Sequence, residues 1–196
     1  MFIRDLHIRK ALHRTLLLGH KSLPEKTIII DEFDVCSNVR ADIAIINGSL
    51  SGIEIKSEAD TLKRLPQQSY YYGKVFDYLT LVTSEKHIHH LTLPEFWGIQ
   101  VVTSSGNKVV IQELQKPQQN DGIDSTFLVQ LLWKEEAIEL LRKFDALRGL
   151  KSKPRREIWA KIAMVVDRDS LREYVRNAIK QRKGWLSDRR PVICGG

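Results

Sequence analysis

The chain has 196 residues, of which 42% are hydrophobic and 28% are charged, with 11 glycines and 6 prolines. This length and composition suit a globular protein with a buried core and exclude the disordered and fibrous classes. No apolar run reaches the roughly 18 residues of a membrane span, and residues 1–20 interleave basic side chains with leucine, unlike a signal peptide. We therefore expect a soluble, cytoplasmic protein with no membrane partner.

The net charge of +7 is concentrated in the C-terminal part of the chain. Residues 142–190 contain 16 Lys and Arg against 6 Asp and Glu, which leaves 15 against 18 for the remainder. A basic region on a neutral-to-acidic body is typical of a polyanion binder, although a solvated helix face gives the same counts. Cys36 and Cys194 lack metal-ligand spacing and fit a reducing compartment.

Helices and strands alternate in the first part of the chain. Residues 3–18 have apolar side chains at helical spacing, which predicts an amphipathic helix that ends at Gly19. The turn sequence NGSLSG at 47–52 predicts a hairpin, and SSGN at 104–107 is compatible with a second one. The predicted strands are 27–35, 40–46, 52–57, 77–84, 97–104 and 108–114, and a second helix is predicted at 66–76.

The polar segment KPQQNDGIDS at 116–125 predicts a linker. We expect it to join a domain at 1–115 to a basic, all-helical region at 126–196. Helices are predicted there at 127–144, 154–166 and 169–185, the last beginning at Asp169 or at a capping box from Ser170 to Glu173.

The first predicted hairpin carries three charges where buried strands usually carry none. Because side chains alternate along a strand, Glu54 and Lys56 share one face, and Asp42 on the partner strand projects to the same side. Two carboxylates, with Glu32 as a third candidate, suit Mg²⁺, and Lys56 would position or deprotonate the attacking water of a hydrolysis. The alternative is a structural ion-pair network on a solvent-facing side of the hairpin.

These residues resemble the motif of the PD-(D/E)XK nuclease superfamily, with similarity over residues 3–84. The matching positions are Glu32, Ala41-Asp42 and Glu54-Ile55-Lys56, where Ala41 replaces the Pro of the motif's name at a variable position. The resemblance implies an α/β fold with a restriction-endonuclease-like αβββαβ core, as in RecB-like and Holliday-junction-resolvase-like members, whose mixed sheet is flanked by helices. It also implies a Mg²⁺- or Mn²⁺-dependent deoxyribonuclease in which Glu32, Asp42 and Glu54 bind metal and Lys56 is catalytic.

RecB-like members also carry a Gln followed four residues later by a Tyr on the next helix. Gln67 with Tyr71 and Gln68 with Tyr72 both have this spacing, which places each pair on one helical face. We favour Gln68 and Tyr72 as active-site residues because apolar residues continue the same face. The C-terminal helices resemble those of a small bacterial and phage branch of the superfamily.

Basic side chains in a loop and on the C-terminal helices are candidate phosphate contacts, although surface solvation explains them equally well. They are Lys63, Arg64, Arg155, Arg156, Lys161, Arg172, Arg176, Lys180, Arg182 and Lys183. The expected partner is DNA, with RNA as a further substrate that fits the same residues. The C-terminal helices alternatively form a surface for a homodimer or a partner protein.

The remaining histidines and aromatic residues favour structural roles. His87, His89 and His90 lack a second ligand cluster, so exposed imidazoles at a helix start are favoured over a zinc site. The Tyr70–Tyr72 run and the four Trp residues are expected in the core. The leading hypothesis is a DNA nuclease for DNA repair or recombination, or in a phage or defence context. The alternative is an inactive nucleic-acid-binding module or regulatory subunit on the same fold.

Overall fold

The structure, a computed structural model, describes residues 5–19, 27–105 and 108–182. It is an α/β fold in which helices flank a six-stranded mixed sheet of order β1-β2-β3-β4-β5-β6. The strands are β1 (Ile28–Val35), β2 (Val39–Ile46), β3 (Leu50–Lys56), β4 (Tyr78–Ser84), β5 (Trp97–Ser105) and β6 (Lys108–Gln115). The helices are α1 (Asp5–Gly19), α2 (Leu65–Tyr72), α3 (Glu85–Ile88), α4 (Ser125–Leu128), α5 (Lys134–Lys143), α6 (Arg155–Val165) and α7 (Arg168–Gln181).

Strand pairing follows the chain order. β1, β2 and β3 are successively antiparallel, β3, β4 and β5 are parallel, and β5 and β6 are antiparallel. Both predicted hairpins are therefore confirmed. Parallel neighbours need a crossover connection, and α2 supplies it between β3 and β4. The C-terminal end of β3 consequently lies beside the C-terminal end of β4. Within the described ranges, no helix is both long and apolar enough to cross a membrane.

The two faces of the sheet pack against different helices. Ile8 and Leu12 of α1 pack on the face that carries Ile43, Ile53 and Ile55. The opposite face belongs to a larger core that it shares with α2 and the C-terminal helices. Strand alternation explains the separation, because the hairpin isoleucines that pack on α1 occupy alternate positions.

The charge-bearing face of the β2–β3 hairpin is covered. Glu54 is 2% exposed and Lys56 is 4% exposed, although both point away from the isoleucine face. The solvent-facing part of the ion-pair alternative is therefore wrong for these two residues, although they do form an ion pair with each other. Helices on both sides of the sheet bury residues that sequence alternation alone would assign to solvent.

The segment 116–125, predicted as a linker, is packed against the rest of the molecule. Asn120 is 4% exposed, and its Nδ2 donates to the carbonyls of Gly73 and Phe76 at 2.8 Å each. Ile123 joins the larger core, which contains side chains from both the sheet and the C-terminal helices. The polar side chains of segment 116–125 thus include one that binds backbone carbonyls. Within the described residues, the core is continuous across the predicted domain boundary.

The C-terminal helices differ from the predicted ones at two positions. The predicted helix at 127–144 is interrupted, since a 3₁₀ turn (Val129–Leu131) and an extended Leu132 separate α4 from α5. α7 begins after Asp167, whose carboxylate accepts the Ser170 N–H at 2.9 Å, and not at Asp169 or Ser170. A helix begins where an N-cap side chain accepts a backbone N–H of the first turn, and Asp167 therefore sets the start of α7.

Candidate active site

Four buried polar side chains meet between the end of β3 and the inward face of α2. Lys56 Nζ donates to Glu54 Oε1 at 2.5 Å and to Gln68 Oε1 at 3.0 Å. Gln68 Nε2 donates to the same Glu54 oxygen at 2.6 Å. Tyr72, one turn further along α2, contacts the other Glu54 oxygen. The structure thus brings Gln68 and Tyr72 to Glu54, whereas Gln67 is exposed, although it also lines the pocket described below.

Tyr72 holds this cluster to β2. Its hydroxyl lies 2.6 Å from the Arg40 carbonyl oxygen and 2.9 Å from Glu54 Oε2. Burial, followed by the negative charge of Glu54, raises the pKa of Tyr72 far above its ordinary value. The hydroxyl therefore remains a neutral donor that orients the carboxylate.

Asp42 reaches the same place from β2. The β2–β3 ladder ends at the pair Ile43 and Ile53, and Asp42 Oδ2 accepts the N–H of Ile55 at 2.7 Å. Burial, followed by the charge of Glu54, raises the pKa of Asp42 to about 7. The two carboxylates repel each other, so a cation between them would stabilise their charged forms.

A pocket of about 230 Å³ opens over these side chains. It contains five carboxylate residues but only three basic ones, which makes it acidic. Its polar lining consists of Asp5, Glu32, Asn38, Arg40, Asp42, Glu54, Lys56, Asp60, Arg64, Gln67 and Gln68. The candidate acidic residues Glu32, Asp42 and Glu54 therefore line the same cavity as the candidate basic residues Lys56 and Arg64.

Glu32 lines the pocket, but its carboxylate is already paired. Its Oε1 accepts from Arg9 at 3.0 Å, and its Oε2 lies 2.7 Å from Arg40 Nε. Glu32 has a φ of 55°, an uncommon backbone conformation for a non-glycine residue within a strand. Among the described residues, no three His, Cys, Asp or Glu side chains are grouped as a metal site. The predicted set of Glu32, Asp42 and Glu54 is thus not assembled as one ligand group.

Arg9 of α1 is the principal site residue that the sequence did not predict. It donates to the Asp42 backbone carbonyl at 2.7 Å and to Asp42 Oδ1 at 2.8 Å. The contact joins positions 33 residues apart. The only local signal was the i, i+4 spacing of Asp5 and Arg9, which suggests a helix-surface ion pair.

Asp42 and Glu54 retain acceptor capacity for a metal ion. An ionised carboxylate has about four lone-pair sites. Asp42 accepts from Arg9 and the Ile55 N–H, and Glu54 accepts from Lys56, Gln68 and Tyr72. Mg²⁺ typically takes one or two carboxylates together with phosphate and water oxygens. The donor chemistry of these two residues therefore fits a Mg²⁺ or Mn²⁺ ion.

The predicted phosphate-contacting residues fall into two groups. Those with solvent-accessible side chains are Lys63, Arg64, Arg155, Arg156 and, in part, Lys161, whereas Lys183 lies outside the described residues. Arg172, Arg176, Lys180 and Arg182 instead make contacts within the molecule. Arg64 also lines the pocket, so it is the member of the first group nearest the candidate site.

The internal contacts of α7 lie far from the pocket. Arg172 Nη2 is 2.5 Å from the buried Asp77, whose other oxygen accepts the Leu50 N–H at 2.6 Å. Lys180 donates to the Asn47 carbonyl at 2.7 Å. Leu50 begins β3 and Lys56 ends it, so these contacts are about 20 Å from the site along the strand. These α7 residues therefore stabilise the fold at the opposite end of the strand.

The histidines and aromatic residues depart partly from expectation. His87 is 5% exposed and forms a 3.0 Å hydrogen bond with the Ser57 carbonyl, so the prediction of an exposed imidazole is wrong for it. Trp97 is buried as predicted, whereas Trp133 is half-exposed and contacts Arg182. Trp185 and Cys194 lie outside the described residues, and Cys36 is buried.

Comparisons with known proteins connect the chain to a phage family. Residues 3–189 match a family model described as bacteriophage P4 protein cII. Protein cII of Enterobacteria phage P4 is 27% identical over 183 residues, which cover 92% of this chain and 68% of that protein. A solved structure of a protein of unknown function from Silicibacter pomeroyi is 18% identical, covers 70% of this chain and 87% of that chain, and has a TM-score of 0.40.

Proposed function

This chain belongs to the bacteriophage P4 protein cII family, and we propose that it is a divalent-metal-dependent nuclease that hydrolyses phosphodiester bonds of DNA. The buried pair of Glu54 and Lys56, which lines an acidic pocket together with Asp42, carries this proposal. Burying two charges is costly unless further hydrogen bonds satisfy them, and ionisable groups held this way in a cleft are typical of active sites. A buried ion pair with a purely structural role would not need an open pocket beside it.

The order of elements supports a PD-(D/E)XK, restriction-endonuclease-like core. α1, β1, β2, β3, α2 and β4 follow one another as that core requires. Glu54 and Lys56 lie at the end of β3, and Gln68 and Tyr72 on the following helix bond to them. The direct hydrogen bonds among these side chains favour a catalytic site. In an inactive module, the motif residues would have no reason to contact one another.

Each residue of the cluster has a distinct role in the proposed reaction. Asp42 and Glu54 would hold Mg²⁺ or Mn²⁺, which supplies Lewis-acid stabilisation of charge on the scissile phosphate. The Lys56 ammonium has three donors, of which Glu54 and Gln68 take two. In the proposed reaction the third would donate to the attacking water or to a phosphate oxygen. Gln68 fixes Lys56 relative to Glu54, and Tyr72 fixes the second oxygen of Glu54.

The rim of the pocket supports a phosphate-bearing substrate. Arg40 and Arg64 line the cavity and are exposed, and Lys63 is exposed next to Arg64 in sequence. Arginine forks match phosphate oxygens, and such backbone contacts position nucleic acid without reading its sequence. We therefore propose DNA recognition through the phosphate backbone at this rim.

A cleavage assay over several substrates tests the function. Purified protein is incubated with EDTA, Mg²⁺ or Mn²⁺ and with linear, circular, single-stranded and branched DNA, and with RNA. We expect metal-dependent cutting of DNA that Glu54→Gln reduces by about 100-fold or more. Glu113→Gln, an exposed change on β6, serves as the matched control and should cut normally. Failure of the wild type on every substrate, or full activity of Glu54→Gln, would contradict the proposal.

A further inference from the structure

Arg9 has more carboxylate neighbours than a structural ion pair requires. Its guanidinium lies within 3.5 Å of oxygens from Asp5, Asp31, Glu32 and Asp42. Its side chain is 17% exposed, so these interactions are largely shielded from water. Arg40 also pairs with Glu32, and His13 Nε2 lies 2.9 Å from Asp31. Arg9 is the basic residue that joins Glu32 to Asp42, one of the candidate metal ligands.

The bond directions place Arg9 on one side of Asp42 and the proposed metal site on the other. Nη2 donates to both Asp42 Oδ1 at 2.8 Å and Glu32 Oε1 at 3.0 Å. Asp42 Oδ2 instead accepts from Ile55, the residue between Glu54 and Lys56. Asp42 therefore bridges the guanidinium and the Glu54 side of the pocket, as a carboxylate bridges two cations in two-metal hydrolytic sites.

We propose that Arg9 takes the place of a second divalent cation. The site then binds one metal ion, at Asp42 and Glu54, while the guanidinium fills the position between Asp42 and Glu32. This inference rests on the proposed metal-dependent function. A guanidinium suits the position because its planar fork donates to several oxygens at once and stays charged at every working pH. It also donates to the Asp42 backbone carbonyl, which fixes the bridging carboxylate.

Metal stoichiometry tests the inference without measuring catalysis. Mn²⁺ is titrated into the 196-residue chain, and free Mn²⁺ is followed by electron paramagnetic resonance. We expect one bound ion in the wild type and two in Arg9→Met. Removal of the guanidinium takes away the cation that joins Glu32 Oε1 to Asp42 Oδ1, while Arg40 pairs with the other Glu32 oxygen. Arg9→Gln provides a second neutral variant should Arg9→Met fail to give the wild-type circular dichroism spectrum.

The double variant Arg9→Met/Glu32→Gln is the matched control and should return to one ion. A single ion in folded Arg9→Met and Arg9→Gln, at unchanged or higher affinity, would overturn the role of Arg9 and leave the metal site of the proposed function intact. Absence of Mn²⁺ binding by the wild type and both neutral variants would overturn that metal site together with the inference. Binding by the neutral variants alone would uphold the second position but contradict the wild-type site.

Discussion

Asp42 couples the stability of the protein to its ionisation. Its pKa of about 7 in the folded chain lies above the ordinary value of 3.8, first because of burial and second because of the Glu54 charge. The folded state thus binds this proton more tightly than the unfolded state does. The resulting contribution to stability is fully present below pH 3.8 and is lost as the pH rises through about 7.

We therefore predict that metal-free wild type loses stability relative to Asp42→Asn between pH 5.5 and pH 8. The expected change in the relative free energy of unfolding is on the order of 1 to 2 kcal/mol. Urea unfolding in EDTA at both pH values measures it. Mg²⁺ at pH 8 should restore stability to the wild type more than to the variant. A difference between the two proteins that does not vary with pH would contradict the raised pKa of Asp42.

At the scale of one helix, the position of α2 determines which of the two Gln–Tyr pairs contacts Glu54. Gln68→Ala should reduce cleavage by about 10- to 100-fold, because Gln68 holds both Glu54 and Lys56 in position. Tyr72→Phe should act in the same direction by releasing Glu54 Oε2. Gln67→Ala and Tyr71→Phe are the controls for the neighbouring register and should retain wild-type rates under single-turnover conditions. The reverse ranking of the two pairs would assign the other register to the site.

α7 is predicted to stabilise the fold through its basic side chains. Arg172→Met should lower the free energy of unfolding by about 3 kcal/mol, because it leaves the buried Asp77 with a weaker set of partners. Arg155→Met, at an exposed position on α6, should change it by less than about 0.5 kcal/mol. Chemical denaturation of both variants measures the difference. Equal, small effects would show that Arg172 is free for another role.

The sequence predicted those elements whose signals are local. Turn residues and alternation located the β2–β3 hairpin and put Glu54 and Lys56 on one face. The four-residue spacing fitted two Gln–Tyr pairs, and the apolar residues that continue one face favoured Gln68 with Tyr72. The break between α4 and α5 was not predictable in this way, because apolar residues continue at Leu131 and Leu132 across it. The periodicity of apolar residues indicates which positions are buried. At this break the side chains remain buried although the backbone becomes extended.

Contacts between distant parts of the chain account for the rest. Nothing near Arg9 in sequence indicates that it binds Asp42, and nothing near Arg172 indicates that it binds Asp77. Arg172 was predicted as a phosphate contact and Arg9 was given no role, because the carboxylate that each one binds is distant in sequence. The same limitation affected Glu54 and Lys56, because Gln68 and Tyr72 of α2 contact them from a different element.

For the whole molecule, the shared core predicts one folding unit. Phe33 and Leu79 of the sheet belong to the same core as Leu140, Ile162 and Val175 of the C-terminal helices. A fragment of residues 1–115 would expose that face of the sheet and lose the Asn120 contacts to Gly73 and Phe76. We predict that this fragment shows no cooperative thermal transition, whereas the full chain unfolds in one. Two separate transitions in the full chain, with the first matched by a folded fragment, would contradict this prediction.

The most direct test of the proposed metal-dependent nuclease site is the single-turnover cleavage rate of Asp42→Asn with Mn²⁺. Asp42 lies outside the hydrogen bonds that join Glu54, Lys56, Gln68 and Tyr72, so the substitution removes a proposed metal ligand while it leaves that cluster in place. We predict a loss of about 100-fold or more for Asp42→Asn, and an unchanged rate for Asp34→Asn, an exposed change on β1. Cleavage by Asp42→Asn at the wild-type rate would contradict the assignment of this pocket as a metal-dependent nuclease site.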